Sequence, residues 1–210
     1  MWLFRKKSAP VKPFMATDVD RFRPYGLLAP YMSLAGTEAT ARVVSLHDGD
    51  TVTVVLQAFG GYYRFRVRLE GIDACELTST AEPNRRLAAE ARDRLLQLVM
   101  SGSAVPATAP VTKYIQKDAE AALDVNVRLV RLKCSKFDKY GRLLGRLSDV
   151  DGADGAKCFN DVLLKEKLAY EYHGARRLSE EDQLVAMGRD KDGNITETSL
   201  SSYSFWKIKT

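Results

Sequence analysis

The chain has 210 residues, enough to bury one good core in a single decorated domain. It is 45% hydrophobic and 28% charged, as a soluble globular protein is, and no apolar run nears the roughly 18 residues that a membrane span needs. Its net charge of +5 suits a polyanionic partner without requiring one.

Residues 1–38 carry Pro10, Pro13, Pro24 and Pro30 without clean periodicity. They predict an irregular basic arm, docked through Phe14, Phe22, Tyr25 and Tyr31. Met1 to Thr17 holds Arg5, Lys6, Lys7 and Lys12 and no acid. A disordered arm is the simpler reading of that stretch and an organelle-targeting peptide the other. Trp2-Leu3-Phe4 is too short for a secretory core. Cys75, Cys134 and Cys158 form no CxxC pair, and their odd number leaves one unpaired, which predicts free thiols in a reducing, intracellular compartment.

A domain is expected over 39–188. Thr40 to Leu46 is a strand by its β-branched content, Asp48-Gly49-Asp50 a turn, and Thr51 to Leu56 the returning strand. Gly60-Gly61 marks a hairpin. Tyr63 to Leu69 is a third strand, with Tyr63, Phe65, Val67 and Leu69 on one face and Arg64, Arg66 and Arg68 on the other. From Glu82 to Met100 the period becomes helical, with Leu87, Ala91, Leu95, Leu98 and Val99 on one stripe. About 104–123 an insertion is expected, with a short helix from Tyr114. Strands follow over Val125 to Lys133 and Gly141 to Leu147. Asn160 is a candidate cap for a helix through Leu168, and Ser179 for one spanning Arg176 to Met187 with Leu184 and Val185 inward. Residues 189–210 read as a polar tail. The expected class is α+β with a mainly β core: a five-stranded OB-type barrel with about three helices.

Chemistry concentrates in three stretches: Asp48-Gly49-Asp50-Thr51, Arg68-Leu69-Glu70-Gly71-Ile72-Asp73-Ala74-Cys75-Glu76, and Asp138-Lys139-Tyr140-Gly141-Arg142. Asp50 and Asp73 both stand at strand ends, where a barrel can bring them together. Two carboxylates with carbonyl oxygens suit Ca²⁺, and Mg²⁺ more strictly. Taken alone, Asp-Gly-Asp is more readily a turn. Arg68 and Arg142 supply guanidinium for the charge of a phosphodiester transition state, whereas Arg64 and Arg66 read as a solvated strand face. Glu76 stands where a carboxylate could orient or deprotonate water. A hard-metal site has no use for Cys75, and His47 and His173 are too few for a zinc site. Asp190-Lys191-Asp192-Gly193-Asn194 lacks calcium-loop spacing and reads as a turn.

These three stretches in order, with Asn160 to Ala169 as a second helix, resemble the staphylococcal (micrococcal) nuclease family over roughly residues 39–187. The resemblance implies a five-stranded OB barrel with three helices and Ca²⁺-dependent hydrolysis of DNA and RNA that leaves 3′-phosphate ends. It assigns the metal to Asp50, Asp73 and the main-chain carbonyl of Ala74. Glu76 would be the general base or the group that positions the water, Arg68 and Arg142 the phosphate-binding arginines, and Lys139 and Tyr140 the contacts to a neighbouring phosphate. Tyr170 or Tyr172 would stack on the base. Ala74-Cys75 replaces the family's Thr-Pro, and Lys167 stands where the family's second helix ends in glycine.

Two other readings are a non-catalytic nucleic-acid-binding OB module and a scaffold using the N-terminal arm. The presence of Glu76 and Arg142 favours the enzyme. A monomer without a membrane span is expected, acting on DNA and RNA with little sequence specificity and preferring single strands, because stacking and phosphate contacts tolerate many sequences.

Overall fold

The computed structural model describes residues 20–27, 29–101, 116–150, 157–174 and 176–196. The chain divides into two units after Ser33. In the first, Tyr25 N–H donates to the Phe22 carbonyl at 2.8 Å and Ala29 N–H to that of Gly26 at 3.0 Å. Phe22, Tyr25 and Tyr31, expected to dock, are exposed; Phe14 lies outside the described residues.

The second unit is built on a closed barrel of β1 (Glu38–Leu46), β2 (Thr51–Ala58), β3 (Gly61–Leu69), β5 (Arg128–Phe137) and β6 (Leu143–Asp149), in the order β1-β2-β3-β6-β5. All pairings are antiparallel except β3 with β6, which run parallel from Val67 beside Leu143 to Leu69 beside Gly145. This is the five-stranded OB architecture. Its interior is filled by Val43, Val52, Val54, Leu56, Val67, Val130, Leu132, Leu143 and Leu147, all at most 1% exposed. Full burial of such a side chain contributes about 1.5–3 kcal/mol.

The β2–β3 hairpin turns at Phe59 and Gly60, one residue earlier than Gly60-Gly61 implied. Both have positive φ, 50° and 75°, as a type I′ turn requires. The strand expected from Val125 starts at Arg128. Val125 instead closes helix α2 (Gln116–Val125), and β5 turns Arg128, Val130, Leu132 and Cys134 inward while Leu129 and Arg131 face out. Gln116–Val125 falls largely in the stretch read as an insertion, yet Ala119 and Leu123 are fully buried. Arg42 of β1 donates to the Asp124 carbonyl at 3.0 Å, which fastens the helix C-terminus to the barrel.

Helix α1 (Glu82–Ser101) buries Leu87, Ala91, Leu95, Leu98 and Val99, the expected stripe, together with Ala88 and Leu96. Arg94 grips Glu166 with two bonds of 2.6 and 2.7 Å, tying α1 to the end of helix α3 (Phe159–Lys165). Asn160 is not its cap. Cys158 holds that position, and Asn160 is the second residue of the helix and fully buried. Its amide donates to the Glu70 carbonyl at 2.8 Å and accepts from Leu147 N–H at 3.2 Å, joining α3 to β3 and β6. The helix ends in a Schellman motif: Leu168 N–H reaches the Leu163 carbonyl at 2.9 Å and Lys167 N–H that of Leu164 at 3.1 Å. Lys167 has φ 59°, so the position where the resemblance expects glycine is left-handed here too.

Helix α4 (Glu180–Ala186) is capped by Ser179 as expected, with Leu184 buried, but Val185 faces out and Gln183 takes its place inside. The segment Asp190 to Asn194 is a turn, closed by Asp190 Oδ1 accepting from the N–H groups of Asp192 and Asn194 at 3.0 and 2.9 Å. Arg86 donates to the Asp192 carbonyl at 2.7 Å and fixes this turn to α1. Four helices, α1 to α4, flank the barrel among the described residues, α2 standing where a short helix was expected within the insertion. Among the described residues no helix is long and apolar enough to cross a membrane.

Candidate functional site

The site forms because a turn, a parallel pairing and a short ribbon meet at one end of the barrel. Gly49 lets the β1–β2 turn pass close to α1: a Cβ there would sit 2.6 Å from the Ala91 Cβ and 3.0 Å from that of Ala74. Asp50 follows it at the head of β2, opposite the end of β3, where Thr51 pairs with Arg68. The parallel register sets Arg68 beside Leu144, two residues past Arg142. Strand β4 (Ile72–Asp73) pairs with β7 (Tyr170–Glu171), which brings Asp73 beside Tyr170.

Arg68 is the hub. Its side chain is 9% exposed and its Nη1 lies 3.1 Å from Asp50 Oδ2, while Nη2 donates to Asp73 Oδ1. It also donates to the carbonyls of Leu69 and Ile72 at 3.1 and 2.8 Å. Asp50 accepts further from Ala74 N–H at 2.8 Å and from the Thr51 hydroxyl at 2.9 Å. Burial, against the pull of Arg68, raises the Asp50 carboxyl above the usual range.

Asp73 Oδ2 accepts from the Tyr170 hydroxyl and lies 3.3 Å from Arg177 Nε. Burial and the bond to Asp73 raise the Tyr170 phenol. Arg177 was not anticipated, yet its guanidinium also bonds Glu76 Oε1 and donates to the Ala74 carbonyl at 3.1 Å. Burial opposes its charge, but the bond to Glu76 and the charges of Asp73 and Glu76 outweigh it and raise its pKa. Cys75, between these groups, faces Asn84 in the interior, and burial pushes its thiol up to about 11.

The Asp138–Arg142 turn supplies the opposite wall. Asp138 accepts from the N–H groups of Tyr140 and Arg142, both at 2.8 Å, and from Arg142 Nε at 2.7 Å. Burial would raise this carboxyl, but the Arg142 side chain and the two N–H groups hold it below its ordinary value. Gly141, at φ 78°, makes the turn possible. Tyr140 is 72% exposed, with Lys139 Nζ 5.0 Å and the Arg142 guanidinium carbon 5.6 Å from its ring centre.

A cleft of about 1260 Å³ joins these parts; it is lined among others by Asp50, Asp73, Ala74, Glu76, Lys139 and Tyr140. Arg68, Arg142, Tyr172 and Arg177 line it as well. Tyr170 is 3% exposed, so of the two tyrosines Tyr172 is the one on the cleft wall. Arg66, read from sequence as a solvated arginine, also lines the cleft, and its charge lowers the His47 pKa behind burial.

The donor chemistry fits a hard cation: the Asp73 carboxylate, the Ala74 carbonyl and Glu76 already converge on a single positive group, Arg177, with Asp50 held nearby by Arg68. Among the described residues, however, no three acidic, histidine or cysteine side chains are grouped closely enough to form a metal centre by themselves. Searches against family models and against curated proteins find no match for this chain.

Proposed function

We propose that the protein is a Ca²⁺-dependent nuclease of the staphylococcal nuclease type, hydrolysing DNA and RNA with little sequence preference. The observation that carries this reading is the cleft in which Asp50, Asp73, Glu76, Arg68 and Arg142 share one wall-to-wall space. Elements distant in sequence bring together oxygen donors, a water-activating carboxylate and phosphate-binding guanidinium groups. The OB barrel beneath it is an architecture that often binds oligonucleotides, and the net charge of +5 favours a polyanion.

Asp50, Asp73 and the Ala74 carbonyl would hold Ca²⁺, which when bound supplies Lewis acidity at the phosphoryl oxygen and a template for the substrate. Glu76 takes the proton of the attacking water. Arg142 and Arg68 bind non-bridging oxygens as charge gathers on them, a role whose loss typically costs on the order of 10²–10³ in rate. Attack in line expels the 5′-oxygen and leaves a 3′-phosphate. Lys139, exposed Tyr140 and Arg66 contact neighbouring phosphates, and Tyr172 offers its ring to a base. Free Cys75, Cys134 and Cys158 fit a reducing compartment.

The test is digestion of single-stranded DNA and RNA in Ca²⁺, in Mg²⁺ and in chelator, with mass spectrometry of the product ends. Calcium-dependent cleavage leaving 3′-phosphates supports the reading; products ending in 3′-hydroxyls, or no products, defeat it. A second reading, a binding module without catalysis, draws on Arg177 lying across Asp73, Ala74 and Glu76. Tight oligonucleotide binding with no cleavage in any metal would favour it.

A further inference from the structure

Every carboxylate oxygen of Asp50 and Asp73 bonds a protein donor, but the donors differ in kind. Arg68, Thr51 and the Ala74 N–H come from the barrel end that builds the site. Arg177 comes from the aperiodic segment between β7 and α4, and its side chain is 39% exposed. Its guanidinium spans Asp73 Oδ2, the Ala74 carbonyl and Glu76 Oε1. Two of these are groups offered to a metal under the function proposed above, and the third is the water-activating carboxylate. A guanidinium spanning all three oxygens fills the space that a cation bound to them would take and cancels the charge that would draw it in, so the two compete.

We propose that Arg177 is a tethered counter-cation that competes with the divalent metal: it neutralises the site when no metal is bound, and metal entry requires its displacement. This rests on the metal-site reading of Asp50, Asp73 and Ala74. Arg68 already faces Asp73, and Arg177 adds a second positive charge there while pairing with Glu76 as well. The same contacts oppose metal binding, since they are given up when the metal enters. The arrangement therefore trades metal affinity for stability of the metal-free protein. It also leaves Glu76 only its second oxygen to offer water until Arg177 has left Oε1.

Competition predicts that removing Arg177 tightens calcium binding rather than weakening it. Charge-assisted bonds to a partly exposed group support an effect of roughly tenfold, equivalent to about 1.4 kcal/mol. The experiment is isothermal titration of Ca²⁺ into chelator-treated full chain, with a thermal melt of each sample with and without calcium. It compares wild type, Arg177→Gln, Arg177→Lys and Arg176→Gln. Arg176 is exposed, one residue away, so its variant removes the same charge without touching the three oxygens.

The expected result is roughly tenfold tighter binding for Arg177→Gln and at most about a threefold change for Arg176→Gln, where only long-range charge is lost. Metal-free Arg177→Gln should melt below wild type and gain more from calcium, and Arg177→Lys should fall between. Binding in Arg177→Gln but not in wild type would support the inference as well. Equal tightening in both Gln variants would overturn it while leaving the metal reading intact, as would weaker binding in Arg177→Gln, because Arg177 would then build the site instead of filling it. No calcium binding in any variant would overturn both.

Discussion

Arg68→Met tests the claim that one buried guanidinium organises the whole end of the barrel. Met nearly conserves the length of the side chain and removes its charge. Its loss leaves Asp50 and Asp73, 8% and 10% exposed at their side chains, without the cation that both contact. Removing one partner of a buried pair typically costs about 3–5 kcal/mol. The carbonyls of Leu69 and Ile72, both in buried residues, also lose a donor, which adds to the cost. The prediction is a loss of about 3–5 kcal/mol, a large part of the ~5–15 kcal/mol available to a domain.

Urea denaturation at about pH 9, above the value of about 8 to which burial raises Asp50, measures it, as a fall in midpoint with the slope unchanged. The deficit should also depend on pH. Burial raises the Asp50 carboxyl even with Arg68 present, and more without it. An acid whose folded pKa is raised is best tolerated while protonated, so the deficit should shrink as pH falls below the folded pKa and grow above it. A loss below about 1 kcal/mol, or one independent of pH, would refute the reasoning.

Lys167→Gly should stabilise the protein by about 1 kcal/mol, since Lys167 holds φ 59° at the end of α3 and glycine adopts that region without penalty; a lower melting temperature would contradict it. Gly49→Ala should destabilise by about 1–3 kcal/mol, because its Cβ would lie 2.6 Å from the Ala91 Cβ, and urea midpoints will show whether α1 can yield. Asp138 has a depressed pKa in the fold, so it contributes stability above its unfolded pKa and loses it as pH falls through the folded value. Asp138→Asn should therefore show a shallower loss of stability between roughly pH 5 and pH 2, measured by urea midpoints across that range.

Much of the fold was legible because its signals are local. Alternation in Tyr63 to Leu69, the stripe from Leu87 to Val99 and the Ser179 cap each depend on neighbours in sequence. The harder cases turned on partners far away. Asn160 was read as a cap because Asn before an apolar run favours caps, whereas burial gave its amide to Glu70, 90 residues distant. The alternation of β5 did not say which face was inward, and a buried Arg128 at its head is a poor advertisement of the core side. Val125 and Val127 extended the apparent strand into a helix end because both are β-branched and exposed.

Within the candidate site, the aspartates, Glu76 and the two arginines were found from spacing along strands and turns. Arg177 was missed: it lies 101 residues from Glu76 on a segment with no period to aim its side chain. The one sequence signal was the Arg176-Arg177 pair just before a helix cap. Arg66 was read as solvated, and it is exposed, but it shares the face of Arg68 and so also lines the cleft.

The central claim is tested most directly by measuring binding and cleavage of the same labelled single strand, in Ca²⁺, by wild type, Glu76→Gln and Arg142→Ala. The account predicts calcium-dependent cleavage by wild type, cleavage reduced on the order of 10²-fold or more in both variants, and binding kept by Glu76→Gln. Undiminished cleavage by Glu76→Gln, or binding without cleavage by wild type, would contradict it.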